Sequence, residues 1–185
     1  QRCSALRVLF LQDDIWDKVV AMLAGAMAEL RLGDPAYLDT DIGPVIDADA
    51  QQALLAHGER MRAEGRLLYE TPLAPECAEG TFVAPMAFEI DRLNRLEREV
   101  FGPILHLIRF SADRLDEVVD QVNATGYGLP FGIHSRIDET VARVARRARV
   151  GNLYVNRNMV GAVVGVQPFG GEGLSGSGPK AGGPR

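Results

Sequence analysis

Residues 104–110 read Ile-Leu-His-Leu-Ile-Arg-Phe, a nearly continuous apolar run. Such a run is typical of a β-strand that is covered on both faces, as the strands of a parallel sheet are. Outward from it, shorter runs predict further strands at residues 6–11, 67–69, 81–86, 131–135 and 153–155. Strands that alternate with helices of about ten or more residues predict an α/β fold, with a mostly parallel, twisted sheet flanked by helices.

The helices between these strands are predicted from apolar residues at helical spacing and from capping residues. The predicted N-caps are Asp13, Asp113 and Asp138, and a further helix is predicted to start near Asp47. The predicted stops are Gly33, Gly65 and Gly151. Residues 156–185 are rich in glycine and are predicted to form loops. In an α/β sheet the functional site lies at the carboxyl ends of the strands, and this glycine-rich segment leaves one such end.

The composition is that of a single globular domain of 185 residues, 46% hydrophobic and 24% charged. The net charge of -5 argues against binding to nucleic acid or to an anionic membrane surface, since both attract basic proteins. No apolar run approaches the length of about 18 residues that a membrane span requires, and we expect no signal peptide. The two cysteines, Cys3 and Cys77, form neither a disulfide framework nor a zinc motif, so a reducing, cytoplasmic setting is expected.

Cys3 stands just before the first predicted strand. A sulfur in that position can be held rigidly and still be reached from a cleft, as thiolate chemistry requires. The alternative is a small buried hydrophobic residue, which is what most free cysteines are. Cys77 lies in a loop rich in proline and glutamate, and we expect it to be an exposed or half-buried residue without a catalytic role.

Residues 99–103, Glu-Val-Phe-Gly-Pro, combine a carboxylate, an aromatic ring and a turn. The Glu99 carboxylate can accept two hydrogen bonds side by side, which matches the two hydroxyls of a ribose. The ring of Phe101, two residues along, can lie against a flat heterocycle. The alternative is a solvated glutamate that precedes a core phenylalanine.

Residues 171–176, Gly-Glu-Gly-Leu-Ser-Gly, match the G-x-G-x-x-G spacing of a dinucleotide-binding turn. A Rossmann fingerprint must follow a strand, open a helix and be followed by an acidic residue about 20 positions on. Here Pro168 precedes the glycines, no helical pattern follows them, and no acidic residue comes after Glu172. We therefore reject a Rossmann turn and expect a loop that passes close to a ligand or a neighbouring chain.

Other residues of functional type each have two readings. Asn156 ends a predicted strand, and either orients backbone near the site or is an ordinary turn residue. Phe169, taken alone, is an ordinary core ring. His57, His106 and His134 are scattered, with no order typical of a Ser/His/Asp or Cys/His site, so a cysteine protease is poorly supported. We expect the last two histidines to be structural groups within strands.

Taken together, several motifs resemble the catalytic domain of the aldehyde dehydrogenase superfamily, in the family's order and over nearly the whole chain. They are Gln1-Arg2-Cys3, Glu99-Val100-Phe101-Gly102-Pro103, Gly126-Tyr127-Gly128-Leu129, Gly151-Asn152-Leu153-Tyr154-Val155-Asn156 and Pro168-Phe169-Gly170-Gly171. Residues 156–169 and 178–184 look like the 1-pyrroline-5-carboxylate (glutamate semialdehyde) dehydrogenase branch. They are closest to the form that is fused behind a proline dehydrogenase in bacteria.

The resemblance implies that the Cys3 thiolate attacks the aldehyde of glutamate semialdehyde, that hydride passes to NAD+, and that water releases glutamate from a thioester. It implies that Glu99 holds the nicotinamide ribose, with Phe101 beside the nicotinamide. It implies that Ser4 and the backbone N–H groups of Gly161 and Ala162 bind the substrate α-carboxylate. It also implies that Phe169 packs on the aliphatic stem of the substrate. No metal is implied.

The resemblance also sets the expected domain organisation. Residues 1–185 would be the C-terminal catalytic domain of a longer chain, with the NAD-binding Rossmann domain and the general-base glutamate upstream of it and absent here. FAD would belong only to a proline dehydrogenase domain of the parent protein. We expect the parent to be a homo-oligomer, and the 185 residues alone not to turn over.

Alternatives remain open beside this reading. One is another semialdehyde dehydrogenase of the same superfamily. A second is a thiol hydrolase that works through Cys3 and needs no Glu99. A third is a non-catalytic scaffold or oligomerisation module, which would tolerate the substitution Cys3→Ala.

Overall fold

The computed structural model describes residues 2–161, 163, 165–179 and 181. They form two compact units. Residues 7–110 make up one of them, the inserted unit. The residues before Arg7 and those from Ser111 onward make up the other, the split unit.

The inserted unit contains a four-stranded sheet and two helices. Its elements are β1 (Val8–Gln12), α1 (Trp16–Ala28), α2 (Ala48–Glu64), β2 (Arg66–Glu70), β3 (Met86–Glu89) and β4 (Ile104–Phe110). The strand order is β1-β4-β3-β2, in which β4 runs parallel to both neighbours and β2 is an antiparallel edge strand. The predicted strand at residues 104–110 is confirmed, with the same bounds.

The core of the inserted unit lies on both faces of this sheet. Successive residues of a strand point to opposite faces, so Phe88 and Ile104 pack with Leu54 and Met61 of α2, all nearly or fully buried. On the other face, Leu107 packs with residues of α1 that include Trp16 and Met27. The apolar character of β4 follows from this double coverage.

The capping predictions had mixed success. Asp47 caps α2, because its side chain accepts a hydrogen bond from the Ala50 N–H at 2.7 Å, and Gly65 ends the helix as predicted. The predictions for Asp13 and Asp113 are wrong: each lies in a 3-10 turn, and α1 begins only at Trp16. A 3-10 turn tightens the start of a helix and takes the place of a side-chain cap there.

Two further expectations for this unit are wrong. The strand expected at residues 81–86 lies instead at Met86–Glu89, because Pro85 has no N–H to donate to a ladder. Cys77 is buried, with 3% exposure, and its Sγ lies 3.7 Å from the Leu32 carbonyl oxygen. The short 3-10 helix Pro75–Glu79 turns the thiol inward, a local shape that the loop composition does not reveal.

The described residues of the split unit form two helices and four short strands. They are α3 (Leu115–Ala124), β5 (Tyr127–Gly128), β6 (Pro130–Ile133), α4 (Asp138–Arg147), β7 (Asn152–Val155) and β8 (Glu172–Gly173). β6 and β7 pair in parallel, and β5 and β8 pair antiparallel. Asp138 is the first residue of α4 and Ile137 holds the cap position, so the predicted cap is displaced by one residue.

The α/β class and the predominance of parallel pairing are confirmed. The strands of the described residues divide among separate sheets, whereas the sequence pattern predicts one. Within the described ranges, no helix combines the length and the apolar character that crossing a bilayer demands.

Candidate active site

The nucleophile candidate lies in a tight turn of the split unit. The turn is closed by a hydrogen bond from the Ala5 N–H to the Arg2 carbonyl oxygen at 3.0 Å. It directs Cys3 to the surface and buries Ser4 completely. The alternative of Cys3 as a buried hydrophobic residue is therefore wrong, and exposure, one requirement of thiolate chemistry, is met.

Ser4 and Gly161 are in direct contact, although 157 positions separate them in the chain. The Gly161 N–H donates to Ser4 Oγ at 2.6 Å. Gly161 has a φ of 63°, in the left-handed region that glycine adopts without a steric penalty. Because Oγ acts as acceptor here, the Ser4 hydroxyl keeps its own proton as a donor for a further group. Ala162, the third expected contact of the substrate carboxylate, lies outside the described residues.

The loop that carries Gly161 is held by Tyr154, which sequence reasoning did not single out. Tyr154 is 5% exposed, and its hydroxyl donates to the Gly161 carbonyl oxygen at 3.4 Å. The same hydroxyl accepts from Gln167 Nε2 at 2.8 Å. A buried tyrosine needs such partners for its hydroxyl. The sequence feature that could have pointed to Tyr154 is an aromatic residue in a predicted strand just upstream of a glycine-rich loop.

Phe169 is held in place by Asn152 at the start of β7. The Asn152 side chain donates to the Pro168 carbonyl oxygen at 2.9 Å and accepts from the Gly170 N–H at 3.1 Å, so it fixes the backbone on both sides of Phe169. The Phe169 ring is partly buried. Asn152 falls within a motif of the resemblance, but the residue types of that motif do not reveal this pair of hydrogen bonds.

Asn156 is a turn residue, as one of its two alternatives states, and it also holds a neighbouring backbone segment. Its φ of 54° is that of a turn residue in the left-handed region. Its side-chain amide also bonds both backbone groups of Ser135, each at 2.9 Å, and so fixes the segment after β6.

The cofactor candidates lie together in the inserted unit. The side chain of Glu99 is 42% exposed and Phe101 is 48% exposed, so the alternative of a core phenylalanine is wrong. Both contact Arg7: its Nε lies 3.5 Å from Glu99 Oε1, and its guanidinium carbon lies 4.5 Å from the centre of the Phe101 ring. Arg7 was not predicted, because nothing in its local sequence shows that it meets residues more than ninety positions away.

Two histidines form a buried pair beside these residues. His57 Nε2 and His106 Nε2 are 2.8 Å apart, and His106 Nδ1 lies 3.2 Å from the Arg7 carbonyl oxygen. The pKa of His57 is lowered to about 4, first by burial and then by His106, Arg60 and Arg98. Burial also lowers the pKa of His106, against an opposing effect of its bond to Arg7. Both rings are therefore neutral near pH 7, and the structural role expected of His106 is confirmed.

No cluster of three or more histidine, cysteine or acidic side chains suited to a metal ion occurs in the described part of the chain.

Comparison with known proteins was made on sequence and on structure. The aldehyde dehydrogenase family model matches residues 1–185. The chain is 59% identical over 189 residues to the bifunctional protein PutA of Escherichia coli (strain K12), covering all of this chain and 14% of that protein. It is 37% identical over 186 residues to the 1-pyrroline-5-carboxylate dehydrogenase of Geobacillus kaustophilus (strain HTA426), covering 35% of that protein.

Solved structures give the same picture. A mutant of Bradyrhizobium japonicum proline utilization A is similar with a TM-score of 0.94 at 55% identity, over 99% of this chain and 18% of that one. The 1-pyrroline-5-carboxylate dehydrogenase from Thermus with bound NAD is similar with a TM-score of 0.88 at 37% identity, over 98% of this chain and 35% of that one. The chain thus spans about a seventh to a third of the length of these relatives.

Proposed function

The chain belongs to the aldehyde dehydrogenase family, and we propose that the protein containing it oxidises L-glutamate γ-semialdehyde to L-glutamate with NAD+ in proline catabolism. The semialdehyde arises by ring opening of 1-pyrroline-5-carboxylate. The names of the relatives support this substrate, since they include bifunctional PutA and 1-pyrroline-5-carboxylate dehydrogenases. The observation that carries the proposal is the pairing of Ser4 with Gly161 directly beside the exposed Cys3.

In the proposed reaction, the Cys3 thiolate attacks the aldehyde carbon and forms a thiohemiacetal. The backbone N–H of Cys3 helps to hold the oxyanion that develops. The chemistry that bound NAD+ supplies is the acceptance of a hydride, after which Cys3 carries the acyl group as a thioester. Water then cleaves the thioester, which releases glutamate and restores the thiolate.

Substrate selection is proposed to rest on the segment around Gly161. The Ser4 hydroxyl proton and the Ala162 N–H would bind the α-carboxylate. The Gly161 N–H, which donates to Ser4 Oγ in this structure, would join them by exchanging that bond for one to the carboxylate. A glycine leaves its N–H open to a carboxylate without steric obstruction, and hydrogen bonds to a charged acceptor are stronger than neutral ones. Phe169 would pack on the aliphatic stem. Simple aldehydes lack the carboxylate and would bind less well.

The residues of the inserted unit fit the nicotinamide riboside part of NAD+. The exposed Glu99 carboxylate suits the two ribose hydroxyls, and the exposed Phe101 ring suits the flat nicotinamide. Both side chains lie on one arginine, so they are close enough to serve a single ligand. The Thermus relative with bound NAD supports this choice of cofactor.

The remaining parts of the proposal concern the whole protein. We propose that residues 1–185 are the C-terminal catalytic domain of a longer chain whose NAD-binding Rossmann domain and general base precede it. We propose a cytoplasmic homo-oligomer. FAD would be held only by a proline dehydrogenase domain, where the parent carries one as the bifunctional relatives' name suggests.

The test is NADH formation by the full-length protein with 1-pyrroline-5-carboxylate and with acetaldehyde, in the wild type and in Cys3→Ser. We expect a strong preference for the amino-acid aldehyde, abolished by the substitution. Equal rates with both aldehydes would keep the family and remove the substrate assignment, in favour of another semialdehyde dehydrogenase. Undiminished activity of Cys3→Ser would overturn the mechanism.

A second variant separates a dehydrogenase from a thiol hydrolase. Glu99→Ala is expected to weaken NAD+-dependent oxidation and to spare ester cleavage by Cys3. If NAD+-dependent oxidation were unaffected by Glu99→Ala, the proposed role of Glu99 would be refuted.

A further inference from the structure

We propose that Arg7 is a positioning residue for NAD+ binding, which holds the Glu99 carboxylate and the Phe101 ring in place before the cofactor arrives. This inference rests on the proposed function, because it assigns those two side chains to the nicotinamide riboside. Arg7 itself is not proposed to touch the cofactor.

The side-chain contacts of Arg7 are the first support. The Arg7 side chain is 19% exposed, whereas both of its partners are more than 40% exposed. An exposed glutamate and an exposed aromatic ring each sample several rotamers in solution, and binding must freeze them. A more buried cation that pairs with the carboxylate and stacks on the ring reduces that freedom in advance.

The backbone of Arg7 is fixed by a series of hydrogen bonds that runs from Arg60 through two histidines. Which atom donates in each bond follows from the fact that an arginine side chain has no acceptor. An arginine can only donate, so the contact of Arg60 Nη2 with His57 Nδ1 at 3.3 Å makes Nδ1 an acceptor. His57 then carries its proton on Nε2 and donates to His106 Nε2 at 2.8 Å. His106 in turn carries its proton on Nδ1 and donates to the Arg7 carbonyl oxygen at 3.2 Å.

Each of these three contacts thus pairs one donor with one acceptor. The His106 backbone N–H adds a second bond to the same Arg7 carbonyl oxygen at 3.1 Å. Arg7 is therefore anchored to β4 through its backbone, while its side chain reaches the cofactor candidates. An element anchored in this way can hold exposed side chains with little movement of its own.

A matched control exists within the same unit. The guanidinium carbon of Arg109 lies 4.6 Å from the centre of the Trp16 ring, and its Nε lies 3.9 Å from Asp13 Oδ1. Arg109 thus makes the same two kinds of contact as Arg7, with an aromatic ring and with a carboxylate. None of its partners is a proposed cofactor or substrate residue.

The experiment compares Arg7→Met, Arg7→Lys and Arg109→Met in the full-length protein. Calorimetry gives the Kd for NAD+, kinetics give KM for NAD+ and for 1-pyrroline-5-carboxylate, and NAD-independent ester cleavage reports the Cys3 site. For Arg7→Met we expect Kd and KM for NAD+ to rise about tenfold. The KM for 1-pyrroline-5-carboxylate and the rate of ester cleavage should stay within about twofold of the wild type. Arg7→Lys restores the charge without the planar stacking and should recover part of the loss.

The outcomes separate the inference from the function on which it rests. Unchanged NAD+ affinity in Arg7→Met, or an equal loss in Arg109→Met, would overturn the inference alone. A loss of ester cleavage as large as the loss of NAD+ affinity would also overturn it, since that is the mark of a general structural role. Tight NAD+ binding without oxidation of the amino-acid aldehyde would overturn the substrate proposal alone, and no NAD+ binding by the wild type would overturn both.

Discussion

Replacing Asn152 by alanine should weaken the selection of the amino-acid aldehyde, because Asn152 fixes the backbone on both sides of Phe169. The substitution removes two hydrogen bonds, to the Pro168 carbonyl oxygen and from the Gly170 N–H. Each contributes about 1 kcal/mol net, and a backbone group left without a partner costs about 1–3 kcal/mol. With two bonds lost and two backbone groups left without a partner, the local destabilisation is about 2–6 kcal/mol.

Part of this energy should appear in catalysis. If about 1.4 kcal/mol of it is felt where Phe169 packs on the substrate stem, kcat/KM for glutamate semialdehyde falls about tenfold. Acetaldehyde has no stem of that length and no α-carboxylate. Its kcat/KM should change little, so the ratio of the two values falls about tenfold.

Asn123→Ala is the matched control. Asn123 makes the same pair of bonds in the same unit, since it donates to the Arg147 carbonyl oxygen and accepts from the Arg149 N–H, each at 2.9 Å. It touches no proposed substrate residue. The two variants should lose similar stability against urea, while only Asn152→Ala changes the ratio of kcat/KM values in the full-length enzyme. An unchanged ratio in Asn152→Ala, or an equal change in Asn123→Ala, would refute the reasoning.

Three further predictions concern stability, and urea unfolding of the chain checks each of them. The pKa of His57 is lowered from 6.5 to about 4, so the contribution of this group to the free energy of unfolding is complete above about pH 6.5 and is lost as the pH falls towards 4. Linkage limits this contribution to about 3 kcal/mol, and partial screening by solvent reduces it to about 1–2 kcal/mol. His57→Gln should flatten that dependence, and an equal slope in the variant would contradict it. Gly25→Ala should stabilise α1 by about 0.5–1 kcal/mol, because nothing lies near the added methyl group. Gly151→Ala should lower the free energy of unfolding by about 1–3 kcal/mol or more, since the added Cβ would overlap the Gly170 carbonyl oxygen. If the two glycine substitutions changed the free energy of unfolding in the same direction, the argument would be refuted. Phe88→Ala should cost about 3–5 kcal/mol because the ring is fully buried, whereas the control Leu38→Ala, at an exposed position, should change stability by less than about 0.5 kcal/mol.

Local signals gave the parts of the fold that depend on a few neighbouring residues. The strand β4, the start of α2 near Asp47 and its end at Gly65 were predicted correctly, because a strand covered on both faces and the ends of a helix are both marked by adjacent residues. The 3-10 turn at Asp13 and the burial of Cys77 were not, since each depends on how a loop packs against distant residues.

The candidate site shows the same division. The position of Cys3 before a strand left exposure and burial both open, and the expectation that Ser4 and Gly161 serve one site came only from the resemblance. The contacts of Arg7 and the bond between His57 and His106 have no local signature. Such contacts join segments that the chain brings together only on folding, so one sequence without an alignment does not reveal them.

The pairing of β1 with β4 sets the order in which the inserted unit matures on the ribosome. Val8 pairs with His106, which is made 98 residues later, and β4 is the one neighbour of β1 among the residues that the structure describes. At a synthesis rate of about 5–20 residues per second, β1 waits about 5–20 s for its partner. A nascent chain arrested before Ile104 therefore lacks the β4 partner of β1, and the sheet of the inserted unit is completed only when translation resumes.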